Sequence, residues 1–250
     1  MGRLDERVII VTGGAQGIGR AFAMRFAEEG ARVVIADVNG PEAEKTAAEI
    51  GEAGGEALVS ITDVSDPDAT QAMAQAAMEK WGRIDGLVNN AAFFQRPQVT
   101  RGTIEQISPD EWDRVMAVNV RGPFLCCRAV LPHMKARGYG KIVNISSGTF
   151  FSGRSTTQYV ASKGAVVGLT RTLAREAGGY GITVNSIAPG STASDPERDE
   201  SNYQGRVPDR AIKRIERPED LAGAGVFLMS SDSDFMTGQT MIVDGGAALN

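Results

Sequence analysis

The stretch VIIVTGGAQGIG, Val8 to Gly19, decides the fold. Its first half is a short β-branched run, as a buried strand requires, and its second half is a glycine-rich turn. IGRAFAMRFAEEG follows, with apolar residues at helical spacing and Gly30 as terminator. In such a unit Gly13 permits the tight turn, Gly17 lets backbone approach a pyrophosphate, and Gly19 lets the helix pack close to the sheet. Gln16 and Ile18 belong to the same turn and count among the expected cofactor contacts. The helix N-terminus adds unpaired N–H groups and partial positive charge for phosphates. Three glycines alone mark any tight turn; the strand–turn–helix setting is what gives them meaning.

The second strand, RVVIAD, ends in Asp37, 18 residues beyond Gly19. A carboxylate there can accept hydrogen bonds from both hydroxyls of an adenosine ribose and repels a 2′-phosphate. Gln16 supplies no cation for such a phosphate, so NAD is favoured over NADP. The competing reading is an Asp that caps the next turn.

Outward from this unit, strand and helix signals alternate. A polar helix begins near Pro41, EALVSITDV is a third strand, DPDATQAMAQAAMEKWG a third helix and DGLVNNA a fourth strand. Ser108 and Pro109 open a long helix through Gly138, GKIVNISS is a fifth strand, and a second long helix runs from Thr156 to Gly178. ITVNSIAPG and GQTMIVDGG are the sixth and seventh strands, with a helix over RPEDLAGAGVFLMSSD between them. Residues 191–213 are polar and aperiodic, as a substrate-covering loop would be. Seven nearly all-apolar strands separated by helices call for a doubly wound, seven-stranded parallel sheet with helices on both faces, in one domain over 1–250. Ligands bind such sheets at the carboxyl ends of the strands.

The 250 residues are 42% hydrophobic and 23% charged, with a formal charge of −5 and no basic stripe. Nucleic acid and anionic membrane are therefore not expected partners. Cys126 and Cys127 are adjacent in a helix, a poor geometry for a disulfide or a metal, and read as core residues of a reducing compartment; no metal is expected. The N-terminus lacks a signal-peptide pattern, and no apolar run approaches a membrane span, so a cytoplasmic protein is expected. His133 reads as a surface or interface residue.

Tyr159 and Lys163 lie four residues apart and share one helix face. A nearby ammonium favours phenolate and lowers a phenol's pKa, so Tyr159 can act as a general acid or base. That spacing alone carries little weight; here it follows a strand ending in Ser146 and Ser147. Thr12 to Gly19, Asn89-Asn90-Ala91-Ala92, Asn119, Ser146-Ser147, Tyr159 to Lys163 and Pro189-Gly190 together resemble the short-chain dehydrogenase/reductase superfamily over essentially the whole chain. The resemblance implies a Rossmann-like NAD-dependent oxidoreductase, with Tyr159 as the acid/base and Lys163 also holding the nicotinamide ribose. It implies that Asn119 anchors a relay water and that a serine orients the substrate oxygen. Asn119 also has a competing structural role, as a helix-interior amide bonded to nearby backbone, and a kinked helix there would let both roles hold. It further implies that Asp63 and Val64 meet the adenine, that Asn90 lies along the cofactor, and that Pro189, Gly190 and Thr192 stand near the carboxamide.

Two departures stand out. Ala92 occupies a position the family usually gives to glycine. The family's serine usually lies 13 residues before the tyrosine, which selects Ser146, whereas the pattern around Gly153 aligns Ser147 and is preferred. Only one of the two can point into the cleft. The pocket is expected to draw on Phe93, Phe94, Gln95, Thr149, Phe150, Phe151 and Tyr203, with Phe94, Ser147, Thr149 and Tyr159 touching substrate. These aromatics either select an apolar or aromatic small-molecule alcohol or carbonyl, or pack in the core or at a subunit contact. The stretch after Ser147 is similar to family members acting on aromatic or heteroaromatic alcohols, such as pyridoxal 4-dehydrogenase. Two alternatives stay open: a 3-oxoacyl-thioester reductase, with Arg96, Arg101, Arg154 and Arg206 receiving an acidic carrier, and a non-catalytic NAD-binding sensor. A homotetramer is expected from the family habit and from the apolar faces of the helix over Thr156 to Gly178.

Overall fold

A computed structural model describes residues 2–94, 99–195 and 198–248. Its strands are β1 (Val8–Thr12), β2 (Arg32–Asp37), β3 (Glu56–Ile61), β4 (Gly86–Asn89), β5 (Gly140–Ile145), β6 (Ile182–Pro189) and β7 (Thr240–Val243). They form one seven-stranded sheet in the order β3-β2-β1-β4-β5-β6-β7, every pairing parallel. β1 pairs β2 from Val8↔Arg32 and β4 from Ile9↔Gly86, so the order reverses between β1 and β4. That reversal opens a crevice at the carboxyl ends of these strands.

The helices are α1 (Gly17–Glu28), α2 (Gly40–Glu52), α3 (Pro67–Trp81), α4 (Pro109–Met116), α5 (Gly122–Arg137), α6 (Gly148–Ser152), α7 (Thr157–Ala177), α8 (Ser201–Gln204) and α9 (Glu219–Met229). Alternation along β1 divides the core. Val8 and Ile10 face one apolar layer with Met73, Ala77, Val130 and Leu173 from α3, α5 and α7. Ile9 and Val11 face the other, with Phe22, Phe26, Ile50 and Leu228 from α1, α2 and α9. A strand coated on both sides is apolar along its covered length, as Val8 to Val11 of β1 are, with buried Thr12 at its end. Cys126 and Cys127 are buried in the first layer, and burial pushes both thiols up, Cys127 to about 12.

Three features depart from the sequence expectations. The first long helix is interrupted: α4 and α5 are joined by a π-helical turn, Ala117–Arg121. The rod Pro109–Arg137 is, contrary to expectation, long and apolar enough by length and composition to cross a membrane. Half of its most apolar window is buried inside the molecule, where α5 covers the sheet. The short helix α6 follows Ser147 directly, and 191–213 holds α8 and a 3₁₀ turn, Val207–Asp209.

Candidate active site

The glycine turn is built by β1, α1 and the end of β4. Asn90 Nδ2 donates to the carbonyls of Thr12 and Gly13, both at 3.0 Å. Thr12 Oγ1 accepts from the backbone of Asn90 (3.0 Å) and Ala91 (3.1 Å). The Asn90 side chain thus braces the turn itself, which the family resemblance did not foretell. Gly19 lies so close to the Gly13 carbonyl that any Cβ would overlap it, and Gly17 (φ +55°) would place a Cβ 2.5 Å from the Ser194 carbonyl. Gly17 therefore accommodates the segment after β6 as well as any phosphate. Side chains of Asn39, Asp66 and Ser108 cap α2, α3 and α4, whereas no described side chain caps α1 behind Gln16. Its first N–H groups are left for an outside acceptor. Ile18 packs partly against the core layer beneath the turn.

Asp37 takes the turn-capping role of the competing reading. Oδ2 accepts from the Ala15 N–H and Oδ1 from the Asn39 N–H, each at 3.0 Å, and each oxygen retains a lone pair. A cleft of about 660 Å³ lies alongside, lined by Ala15, Gln16, Gly17 and Asn39 and faced by Ser194 and Arg217. Asp63 binds the backbone and hydroxyl of Ser65. The Val64 side chain, expected at the adenine, is turned into the core beneath Gly122 and leaves only backbone to face a base.

At the end of β5 the two serines part. Ser146 is buried and donates to the Lys163 carbonyl at 3.0 Å. Ser147 instead caps α6, accepting from the Thr149 N–H (3.2 Å) and hydroxyl (2.9 Å), and is the hydrogen-bonding neighbour of the Tyr159 phenol. Lys163 Nζ stands 5.6 Å from the Tyr159 ring centre and donates to the Ile145 carbonyl at 2.7 Å. Burial pushes the phenol up to about 12, with Ser147 pulling it back, and lowers the ammonium to about 8. The expected depression of the phenol by Lys163 is absent from this arrangement. Desolvation penalises the charged form of both groups, and the lysine is aimed at backbone.

Asn119 sits in the π turn, where the ladder of helical hydrogen bonds is relaxed. Its Oδ1 accepts from the Phe93 N–H at 2.7 Å, and Nδ2 donates to Ser162 Oγ at 3.1 Å. It ties the segment after β4 to α7, beside Tyr159. Of the expected pocket aromatics, Phe94 packs on Tyr159 with ring centres 4.1 Å apart. Arg101 lies over the Phe94 ring at 5.1 Å, and Arg114 over Phe93 at 5.9 Å. Phe150 and Phe151 meet edge to face with ring centres 5.1 Å apart and are exposed on α6. Tyr203 is buried in α8 with Arg198 against its ring. Gln95 and Arg96 fall outside the described residues. Arg154 pairs with Asp209 at 3.3 Å, and His133 is partly exposed on α5.

Two buried clusters had no signal in the residue pattern. Glu216 accepts from Gly190 N (3.2 Å) and Thr192 Oγ1 (2.9 Å) and pairs with buried Arg210 (3.3 Å), which also binds the Ser191 carbonyl. Together they pin the start of the 191–213 segment to Pro189 at the end of β6, and they engage the Thr192 hydroxyl expected at the carboxamide. Glu111 binds the backbone and hydroxyl of Thr100 and accepts from Gln158 at 2.6 Å, clamping the residue before Tyr159. Glu216 lies in a polar segment without periodicity, and Glu111, in the first turn of α4, carries no local sign of the distant partners it meets.

The family model described as enoyl-(acyl carrier protein) reductase matches residues 13–248. The chain is 38% identical to the (2S)-[(R)-hydroxy(phenyl)methyl]succinyl-CoA dehydrogenase subunit BbsD of Thauera aromatica, over 98% of each chain. It is 36% identical to the levodione reductase of Leifsonia aquatica, over 98% of this chain and 95% of that one. A crystal structure of 3-ketoacyl-(acyl-carrier-protein) reductase from Brucella melitensis, complexed with NADH, superposes with a TM-score of 0.90 at 35% identity, covering 98% of this chain and all of that one. With its parallel sheet, its glycine turn and its Ser147–Tyr159–Lys163 cluster, the chain belongs to the short-chain dehydrogenase/reductase family of oxidoreductases.

Proposed function

We propose that this protein interconverts a small apolar or aromatic alcohol and its carbonyl, with NAD(H) as hydride partner and Tyr159 as acid/base. The observation that carries the reading is the meeting of Ser147, Tyr159 and Lys163 at the end of β5, the same end of the sheet as the glycine turn after β1. The residues fit a dinucleotide: Gly17 and Gly19 leave no room for side chains, α1 keeps its first N–H groups open, and Asp37 retains acceptor capacity at the end of β2. Gly13, Gln16, Ile18 and Asn90 would shape the pyrophosphate turn, Asp37 would take the adenosine ribose, and backbone at Asp63 and Val64 would face the base. Gly190 and Thr192 would stand at the nicotinamide end. When bound, the nicotinamide ring supplies or accepts the hydride.

The rest is chemistry of the chain. Tyr159 exchanges a proton with the substrate oxygen, Ser147 supports the phenol from the end of β5, and Asn119 holds the Phe93 backbone beside them. The buried ammonium of Lys163 stabilises phenolate whenever the substrate or cofactor draws it toward the ring. Phe94, already packed on Tyr159, forms an apolar wall suited to an aryl group. Steady-state assays of an aryl-alcohol panel with both dinucleotides test the reading. Preference for NAD and turnover of secondary aryl alcohols are expected; strong NADP preference with Asp37 intact overturns it.

A second reading, reduction of a 3-oxoacyl thioester, is favoured by the likeness to the Brucella reductase and by Arg101 at the Phe94 ring. Turnover of acetoacetyl thioesters exceeding that of aryl alcohols would select it. Either way a homotetramer is proposed, supported by the exposed small residues Ala161, Ala165 and Gly168 along α7, and light scattering tests it.

A further inference from the structure

We propose that Thr149 is a positioning residue for the proton transfer, holding the Ser147 hydroxyl as a pure donor toward the Tyr159 oxygen. A hydroxyl oxygen has two lone pairs and one hydrogen. At Ser147 Oγ both lone pairs are filled by the same residue: the Thr149 N–H donates at 3.2 Å and the Thr149 hydroxyl donates at 2.9 Å. What Ser147 has left is its own hydrogen, and the neighbour that receives it is the phenol.

The direction of that bond matters. A serine free to accept would stabilise protonated Tyr159, whereas a serine that can only donate stabilises the phenolate. In alcohol oxidation the phenolate is the working form. Gly148 between the two residues leaves Thr149 as the side chain that completes the arrangement, and the Thr149 amide alone would fill just one lone pair. This inference rests on Tyr159 being the acid/base.

The test compares Thr149→Val, which keeps the amide bond and removes the hydroxyl, with Thr149→Ser, which keeps both. For alcohol oxidation, Thr149→Val is expected to move the midpoint of the pH–kcat profile upward by about one unit. It should also lower kcat about tenfold, the value of roughly one hydrogen bond. NADH affinity and melting temperature should stay at the parental values, and Thr149→Ser should restore the profile. A Thr149→Val profile superimposable on the parent overturns the inference, as does a loss without a pH shift that serine fails to rescue. Tyr159→Phe separates the two levels. If it remains active, the acid/base reading itself falls; if it is inactive while Thr149→Val behaves as the parent, only the role of Thr149 falls.

Discussion

The two ends of the sheet handle buried charge in opposite ways. At the amino end, fully buried Asp85 accepts two N–H groups of Arg83 at 2.7 Å and the Val8 amide at 2.9 Å, with Arg137 at 3.7 Å. Buried Lys141 meets Asp234 at 2.7 Å. Arg7 donates to the Met229 carbonyl and the Tyr139 hydroxyl, so a cleft of about 350 Å³ there is walled by groups that already satisfy one another. At the carboxyl end, Lys163 is as buried but donates to a neutral carbonyl, and desolvation lowers its pKa with no compensating anion among the described residues. Tyr159 beside it is pushed up. Closed pairs hold a fold together, while charges left open mark the place where something else is meant to bind or react.

Four substitutions sharpen or break this contrast, beginning with the largest effect. Tyr159→Phe should reduce kcat/KM by about a thousandfold, within the range for a lost acid/base, while NADH quenching titrations and melting curves stay near the parent. Asp85→Asn should do the reverse. Urea unfolding should show a loss of about 3 kcal/mol, because the carboxylate charge facing Arg83 is removed and one of its two accepting oxygens becomes a donor, while the folded fraction keeps its kcat. Equal damage to activity and stability at both ends would erase the distinction.

Lys163→Met comes third and has a pH signature. The folded-state value near 8 lies below the ordinary 10.5, so the folded chain binds this proton less tightly than the unfolded one. The stability lost to burying the charge is therefore largest below about pH 8 and is regained as pH rises toward 10.5. The methionine variant should be inactive yet melt a few degrees higher near neutrality, with the gain shrinking at about pH 10. A variant less stable than the parent at neutral pH would show that the Ile145 carbonyl contact outweighs desolvation. The smallest effect is expected from Asp37→Ala. NADH affinity should weaken about tenfold, and the preference over NADPH should narrow, with little change in melting temperature.

Much of this was legible because it is local. The strand of Val8 to Thr12, the glycine turn and α1 follow one another directly, and β-branched period and helical spacing report them without help from distant residues. Tyr159 and Lys163 share a face because four residues make about one helical turn. Asp37 was placed at the end of β2 by the same short-range logic, although the Ala15 amide as its partner was not foreseen. The expected roles of Asn119 admit a kink there, but the π form of the turn has no mark of its own, since its sequence has the composition of the helices on either side.

The amino-acid sequence by itself determined the alternation of strands and helices, the parallel sheet, the dinucleotide turn and the tyrosine–lysine pair, since each depends on spacings of a few residues. Only the tertiary structure decided that Ser147 rather than Ser146 faces the phenol, that Asn119 holds Phe93, that Phe94 covers Tyr159, and that Glu216 and Arg210 anchor the last loop. Those choices join segments far apart in the chain, 26 residues for Asn119 and Phe93 and 24 for Thr192 and Glu216. Such partners meet only after the sheet has brought the carboxyl ends of its strands together, so no local period records them.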